Sequence, residues 1–65
     1  MRWLEFTAKL AKLDKELDVA SSLWDVAEQR GDGRAALAAQ GRWMGLCEAK
    51  DALMEEYMEA AAHNG

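Results

Sequence analysis

The sequence predicts an all-α fold: an antiparallel two-helix hairpin that pairs with a second copy into a four-helix bundle. Three observations carry this expectation. The chain has no proline and is rich in Ala, Leu, Glu, Lys, Arg, Gln and Met, the residues that lose least on entering a helix. Apolar residues in its first half recur at alternating steps of three and four, with no run of alternation at period two. The one strong interruption, Gly31-Asp32-Gly33, falls near the middle.

The first helix is expected over about residues 2–30. Trp3, Phe6, Leu10, Leu13, Leu17, Ala20, Trp24 and Ala27 form an unbroken seam of the kind that packs knobs into holes. Ser22 with Asp25 could cap a new helix and break the first in two, but the seam runs through Ser21-Ser22 in register and favours continuity. The turn follows at 31–33. Gly31 suits the left-handed position after a helix end, and Asp32 can accept the first free amides of the next helix. A link this short makes the helices antiparallel neighbours in a single domain, 1–65.

The second helix is expected over about 33–62 and is apolar around a wide arc. One stripe holds Leu37, Met44, Cys47, Met54, Met58 and Ala61. Another holds Ala36, Ala39, Trp43, Leu46, Leu53 and Tyr57, and a narrow third face holds Ala38, Gly41, Gly45, Ala49 and Ala52. Glycine within a helix costs about 1 kcal/mol against alanine, so Gly41 and Gly45 imply that another helix comes close. Folding about Asp32 sets position i roughly against 64 − i, so that large residues meet small ones. Trp24 then faces Gln40 and Gly41, Ala20 faces Trp43 and Met44, and Trp3 faces Ala60 and Ala61. The hairpin core is expected to comprise Trp3, Phe6, Leu10, Leu13, Leu17, Trp24, Met44, Cys47 and Met54. That leaves Trp43, Leu46, Leu53 and Tyr57 on the second helix, with Val19, Leu23 and Val26 on the first, as an interface to another protein chain.

Size makes such an interface necessary. A chain of 65 residues has a thin core and usually needs a staple. Cys47 is the only cysteine, so no disulfide can form within the chain, and Cys47 with His63 supplies too few soft ligands for a zinc site. Association is the staple left, and at 51% hydrophobic residues the chain carries more apolar surface than one hairpin can hide. No metal or other cofactor is expected.

Charge and chemistry narrow the function. The net charge of −4 argues against general polyanion binding. Residues 1–15 carry Arg2, Lys9, Lys12 and Lys15 against Glu5 and Asp14, a balance of +2. Residues 48–59 carry Glu48, Asp51, Glu55, Glu56 and Glu59 against Lys50, a balance of −4, so the two ends attract when folded together. The lone His63 lies at the chain end without a positioned partner for acid–base work. Cys47 lies on an apolar stripe with nothing placed to lower its pKa, and reads as a small buried hydrophobe. An enzyme is therefore not expected. Charged residues break every apolar run well short of a membrane span, no secretory signal is recognisable, and the solitary cysteine fits a reducing compartment, so the expected location is cytoplasmic.

The expected function is that of a non-catalytic interaction protein: an adaptor, inhibitor or regulator that forms a homodimer and docks on an unidentified protein, with Trp43 as its aromatic anchor. Small acidic proteins of this kind are common in phage and plasmid genomes. In length, hairpin and bundle the chain also resembles the plasmid-borne Rop-type RNA-loop binders, without a shared motif. That resemblance implies an alternative, binding of structured RNA through Arg2, Lys9 and Lys12. Gly31-Asp32, Arg34 to Leu37 and Gly45-Leu46 resemble helical segments of phage DNA-packaging small subunits. A structural assembly subunit is the third alternative.

Overall fold

The structure, a computed structural model, describes residues 2–64. Two helices, α1 (Trp3–Gln29) and α2 (Gly33–Asn64), lie against each other as a hairpin. The ribbon measures 51 × 16 × 10 Å along its principal axes, two helices wide and one helix thick.

α1 is continuous through Ser21 and Ser22. Its end satisfies free carbonyls of the last turn. Gly31 takes the left-handed conformation at φ +69°; its amide donates to the Glu28 carbonyl at 3.1 Å, and the Asp32 amide donates to the Ala27 carbonyl at 2.9 Å. This reciprocal pair is a Schellman closure, and it turns the chain back at once. Asp32 then opens α2: its carboxylate Oδ1 accepts the Ala35 amide at 3.2 Å and its carbonyl accepts the Ala36 amide at 3.0 Å. One residue thus ends one helix and begins the next.

On α1, the side turned to α2 is the seam expected from the sequence. Phe6, Ala20 and Ala27 are buried, and Leu10, Leu13, Leu17 and Trp24 are half-buried. Trp3, expected in the core, is 60% exposed. It stands at the open end of the hairpin, where its ring meets Phe6 and Tyr57 on one side only, with centroids 5.8 Å away in each case.

On α2, the side turned to α1 runs through Ala36, Ala39, Trp43, Leu46, Lys50, Leu53, Tyr57 and Ala60, again at steps of three and four. This corrects the expectation for both stripes. Leu53 is buried, Leu46 and Tyr57 are half-buried, and Trp43, although 36% exposed, packs its ring 6.1 Å from that of Trp24. All four, expected at an interface, belong to the hairpin seam. Met44 and Met54, expected in the core, are exposed, while Cys47 is half-buried at the seam's edge.

The reason lies in the one charged residue that interrupts each stripe. The methionine stripe is broken by Asp51, whose short carboxylate would be stranded between the helices. The aromatic stripe is broken by Lys50, whose long stem can lie along the seam while the ammonium leaves it. Lys50 Nζ reaches Asp14 Oδ1 on α1 at 2.8 Å, the one side-chain hydrogen bond joining the helices among the described residues. That bond and the carboxylate's charge push the lysine's pKa above its ordinary value of 10.5.

The seam also departs from the expected matching of large with small. Trp24 meets Trp43, a large residue against a large one, and Phe6 stacks on Tyr57 with centroids 4.3 Å apart and planes inclined by 22°. Aromatic pairs with such geometry add roughly 0.5–1.5 kcal/mol beyond their burial. They hold the two ends of the hairpin, and the wholly buried Ala20 permits close approach between them. Yet a Cβ built on Gly41 or Gly45 would meet nothing within 4 Å, so neither glycine serves the contact between α1 and α2.

Candidate functional site

The thin ribbon presents two broad faces, one on each side of the seam. Every apolar residue that α1 and α2 do not cover for each other lies on or beside one of these. Among the described residues only Phe6, Ala20, Ala27, Ala39 and Leu53 are buried, while ten large apolar side chains keep a third or more of their surface in solvent.

The first face, here the aliphatic face, carries Val19, Leu23 and Val26 on α1 beside Ala35, Ala38, Gly45, Ala49 and Ala52 on α2. Near the turn, Leu23, Val26, Ala35 and Ala38 line a shallow groove together with the charged Arg30, Asp32 and Arg42. Toward the open end, Lys9, Lys12, Leu13, Glu16, Ala49, Ala52, Leu53 and Glu56 line its continuation. The narrow face of small residues on α2 supplies the other wall. Val19, Leu23 and Val26 are exposed, and with Asp18 and Ser22 they line a further shallow groove along α1 itself.

The second face, here the methionine face, carries Leu37, Met44, Met54 and Met58 on α2, all exposed. Its α1 half is acidic, with Asp14, Asp18, Asp25 and Glu28 at the same side of the seam. Glu28 accepts the Trp24 indole N–H at 3.1 Å, and Gln29 donates to Asp25 at 3.5 Å, so part of this acidic row is tied to the helix itself. Leu4, which the heptad pattern does not single out, is the most exposed large apolar residue at 80%. It occupies the same α1 side, one residue past Trp3.

The residues of the RNA alternative do not gather into one basic surface. Arg2 precedes α1; Lys9 Nζ lies 3.7 Å from Glu5 on the next turn, and Lys12 shares its groove with Glu16 and Glu56. His63 is exposed in the last turn of α2. Among the described residues no cluster of three or more His, Cys, Asp or Glu side chains could hold a metal ion. Among the described residues no helix is long and apolar enough to cross a membrane.

Compared with protein-family models, curated proteins and solved structures, the chain finds no match. Its function must therefore be sought in these two faces and in the chemistry of their residues.

Proposed function

We propose that this is a non-catalytic interaction protein that works as a self-associated helical bundle and docks on a protein partner. One observation carries the reading: among the described residues, the imbalance between a five-residue buried core and ten exposed large apolar side chains. At about 25 cal/mol per Å² of apolar surface, leaving so much in water forgoes a large part of the stabilisation available to a short chain. A scaffold of this length generally offsets its ordering entropy by association when it has neither disulfide nor metal. Exposed apolar surface on this scale, edged by charge, is the mark of a protein-binding site.

The partner-docking role passes from Leu46, Leu53 and Tyr57, which the seam covers, and from Trp43, which packs on Trp24 with 36% of its surface exposed, to the methionine face. Unbranched methionines adapt to differently shaped apolar partners. The acidic row beside them favours a partner segment with basic residues flanking its apolar ones. Lys9 is paired with Glu5 and Lys12 shares its groove with two carboxylates, so these residues give the RNA alternative no comparable support.

Light scattering across a dilution series, with helicity followed in parallel, tests the reading. A mass of two chains or more, with helicity falling as the mass falls, is the expected outcome. A monomer that keeps full helicity at the lowest concentration refutes self-association and leaves both faces to partners of other kinds.

A further inference from the structure

We infer that the second copy sits on the aliphatic face, with both turns at the same end of the bundle, and that the methionine face stays outside. This rests on the self-association proposed above and adds its surface and its symmetry.

A two-fold dimer can bring two such faces together in two ways. If the axis runs along the hairpin, α1 of each copy lies on α2 of the other and the turns share one end. If the axis lies across the hairpin, α1 lies on α1 and the turns point to opposite ends. The two arrangements set different residues at each level, and the sequence distinguishes them.

With the turns together, the levels follow, to within a residue, the hairpin's own register, in which Asp14 meets Lys50. Val19 then faces Gly45 of the second copy and Val26 faces Ala38, each a larger apolar residue against a small one, as interdigitation requires, while Glu16 lies at the level of Ala49. Lys9 faces Glu56, a pair of opposite charges. Leu23 faces Arg42, whose stem can pack on it while the guanidinium reaches water. The open space over Gly45, unused within one hairpin, takes the Val19 side chain. That gives this helix-interior glycine the close neighbour its cost calls for.

With the turns apart and the hairpins fully overlapped, the same levels set Lys9 against Leu23, Lys12 against Val19, Arg42 against Glu56, and Glu16 against Glu16 across the axis. The Arg42–Glu56 pair then stands in place of Lys9–Glu56, but the two Glu16 carboxylates meet at the centre, which is unfavourable, and Val19 loses the open space over Gly45. Self-association through the methionine face fares no better, because it presses Asp14, Asp18, Asp25 and Glu28 against methionines, with Lys50 alone to answer them. The area also suffices. A face of 51 by 16 Å is on the order of the 800 Å² that each partner contributes to a standard stable interface.

The test places one spin label on the exposed first turn of α2, in Arg34→Cys with Cys47→Ser, and measures the label-to-label distance in the full-length dimer. The expected distance is a small fraction of the hairpin's 51 Å length. A distance near that full length overturns the shared-end arrangement, while the dimer mass measured on the same sample still upholds self-association. A second pair of variants tests the face itself. Leu23→Glu is expected to weaken dimerisation at least tenfold with helicity retained at high concentration, and Met44→Glu to leave it unchanged. The reverse pattern would assign the interface to the methionine face and refute the inference.

Discussion

Leu53 and Met54 are neighbours in sequence on opposite sides of the question of which stripe faces α1, and replacing each with alanine separates the answers. Leu53 is 7% exposed and Met54 is 44% exposed. Truncating leucine to alanine removes the equivalent of three methylene groups, about 0.8 kcal/mol each when buried, and leaves part of that volume as a cavity. The expected loss for Leu53→Ala is about 3 kcal/mol. Met54 already has nearly half its surface in water and leaves no enclosed space, so Met54→Ala should cost about 1 kcal/mol or less. At roughly 4–8 °C per kcal/mol for a domain of this size, the midpoints should fall by about 15 °C and by a few degrees respectively. The assay is thermal unfolding followed by far-ultraviolet circular dichroism, at one fixed chain concentration because association shifts the midpoint. Equal losses, or a greater loss at Met54, would refute the register, since only a seam running through Met44 and Met54 makes methionine the costlier deletion.

Three further outcomes follow from the turn and from the one polar link across the seam. Gly31→Ala should lose about 1 kcal/mol through the left-handed strain at φ +69°, because no neighbouring atom obstructs the added Cβ; Gly41→Ala, in ordinary helical backbone with the same open space, should gain roughly 0.5–1 kcal/mol in the same denaturation assay. Asp32→Ala should cost about 1 kcal/mol by leaving the Ala35 amide without its acceptor, and Asp32→Asn should restore most of it. Lys50 has its pKa raised in the folded chain, so the contribution of its bond to Asp14 is fully present below the unfolded lysine value and disappears as pH rises through the folded one. An alkaline titration should therefore show stability falling above pH 10.5 in a way that Lys50→Met abolishes, whereas an unchanged alkaline profile in that variant would show that Lys50 does not cause the fall.

Local chemistry makes α1 and the turn legible from the sequence alone. The seam from Phe6 to Ala27 contains no charged residue, so its period of three and four is unambiguous, and a single helix can bury it in one direction only. Gly31 and Asp32 act through their own backbone and side chain on amides and carbonyls a few residues away, and such short-range effects survive without knowledge of the rest of the fold. α2 is harder to read for a physical reason. Its two apolar stripes are each interrupted once, by Lys50 and by Asp51, and hydrophobicity alone ranks them about equally. What separates them is the reach of a lysine to a carboxylate on the other helix, a property of two residues 36 positions apart. The candidate site inherits that ambiguity. Val19, Leu23 and Val26 are legible because α1 has only one seam, whereas the pattern of α2 sends Trp43, Leu46, Leu53 and Tyr57 outward and Met44 and Met54 inward. Trp3 loses its burial at the hairpin's open end, a boundary effect no periodicity reports.

The sequence by itself determined that this chain is helical, where it turns, which side of α1 is buried, and that more apolar surface exists than two helices can cover. Those are properties of single residues, of spacing along one helix and of total composition, and each can be read without a partner element. Only the tertiary structure decided which arc of α2 meets α1, and with it which residues remain on the two broad faces. That choice depends on pairing across the seam: Trp24 with Trp43, Phe6 with Tyr57 and Asp14 with Lys50. Side-chain pairing energies exist only once two helices are set side by side at one register, and so they leave no trace in the pattern of either helix alone.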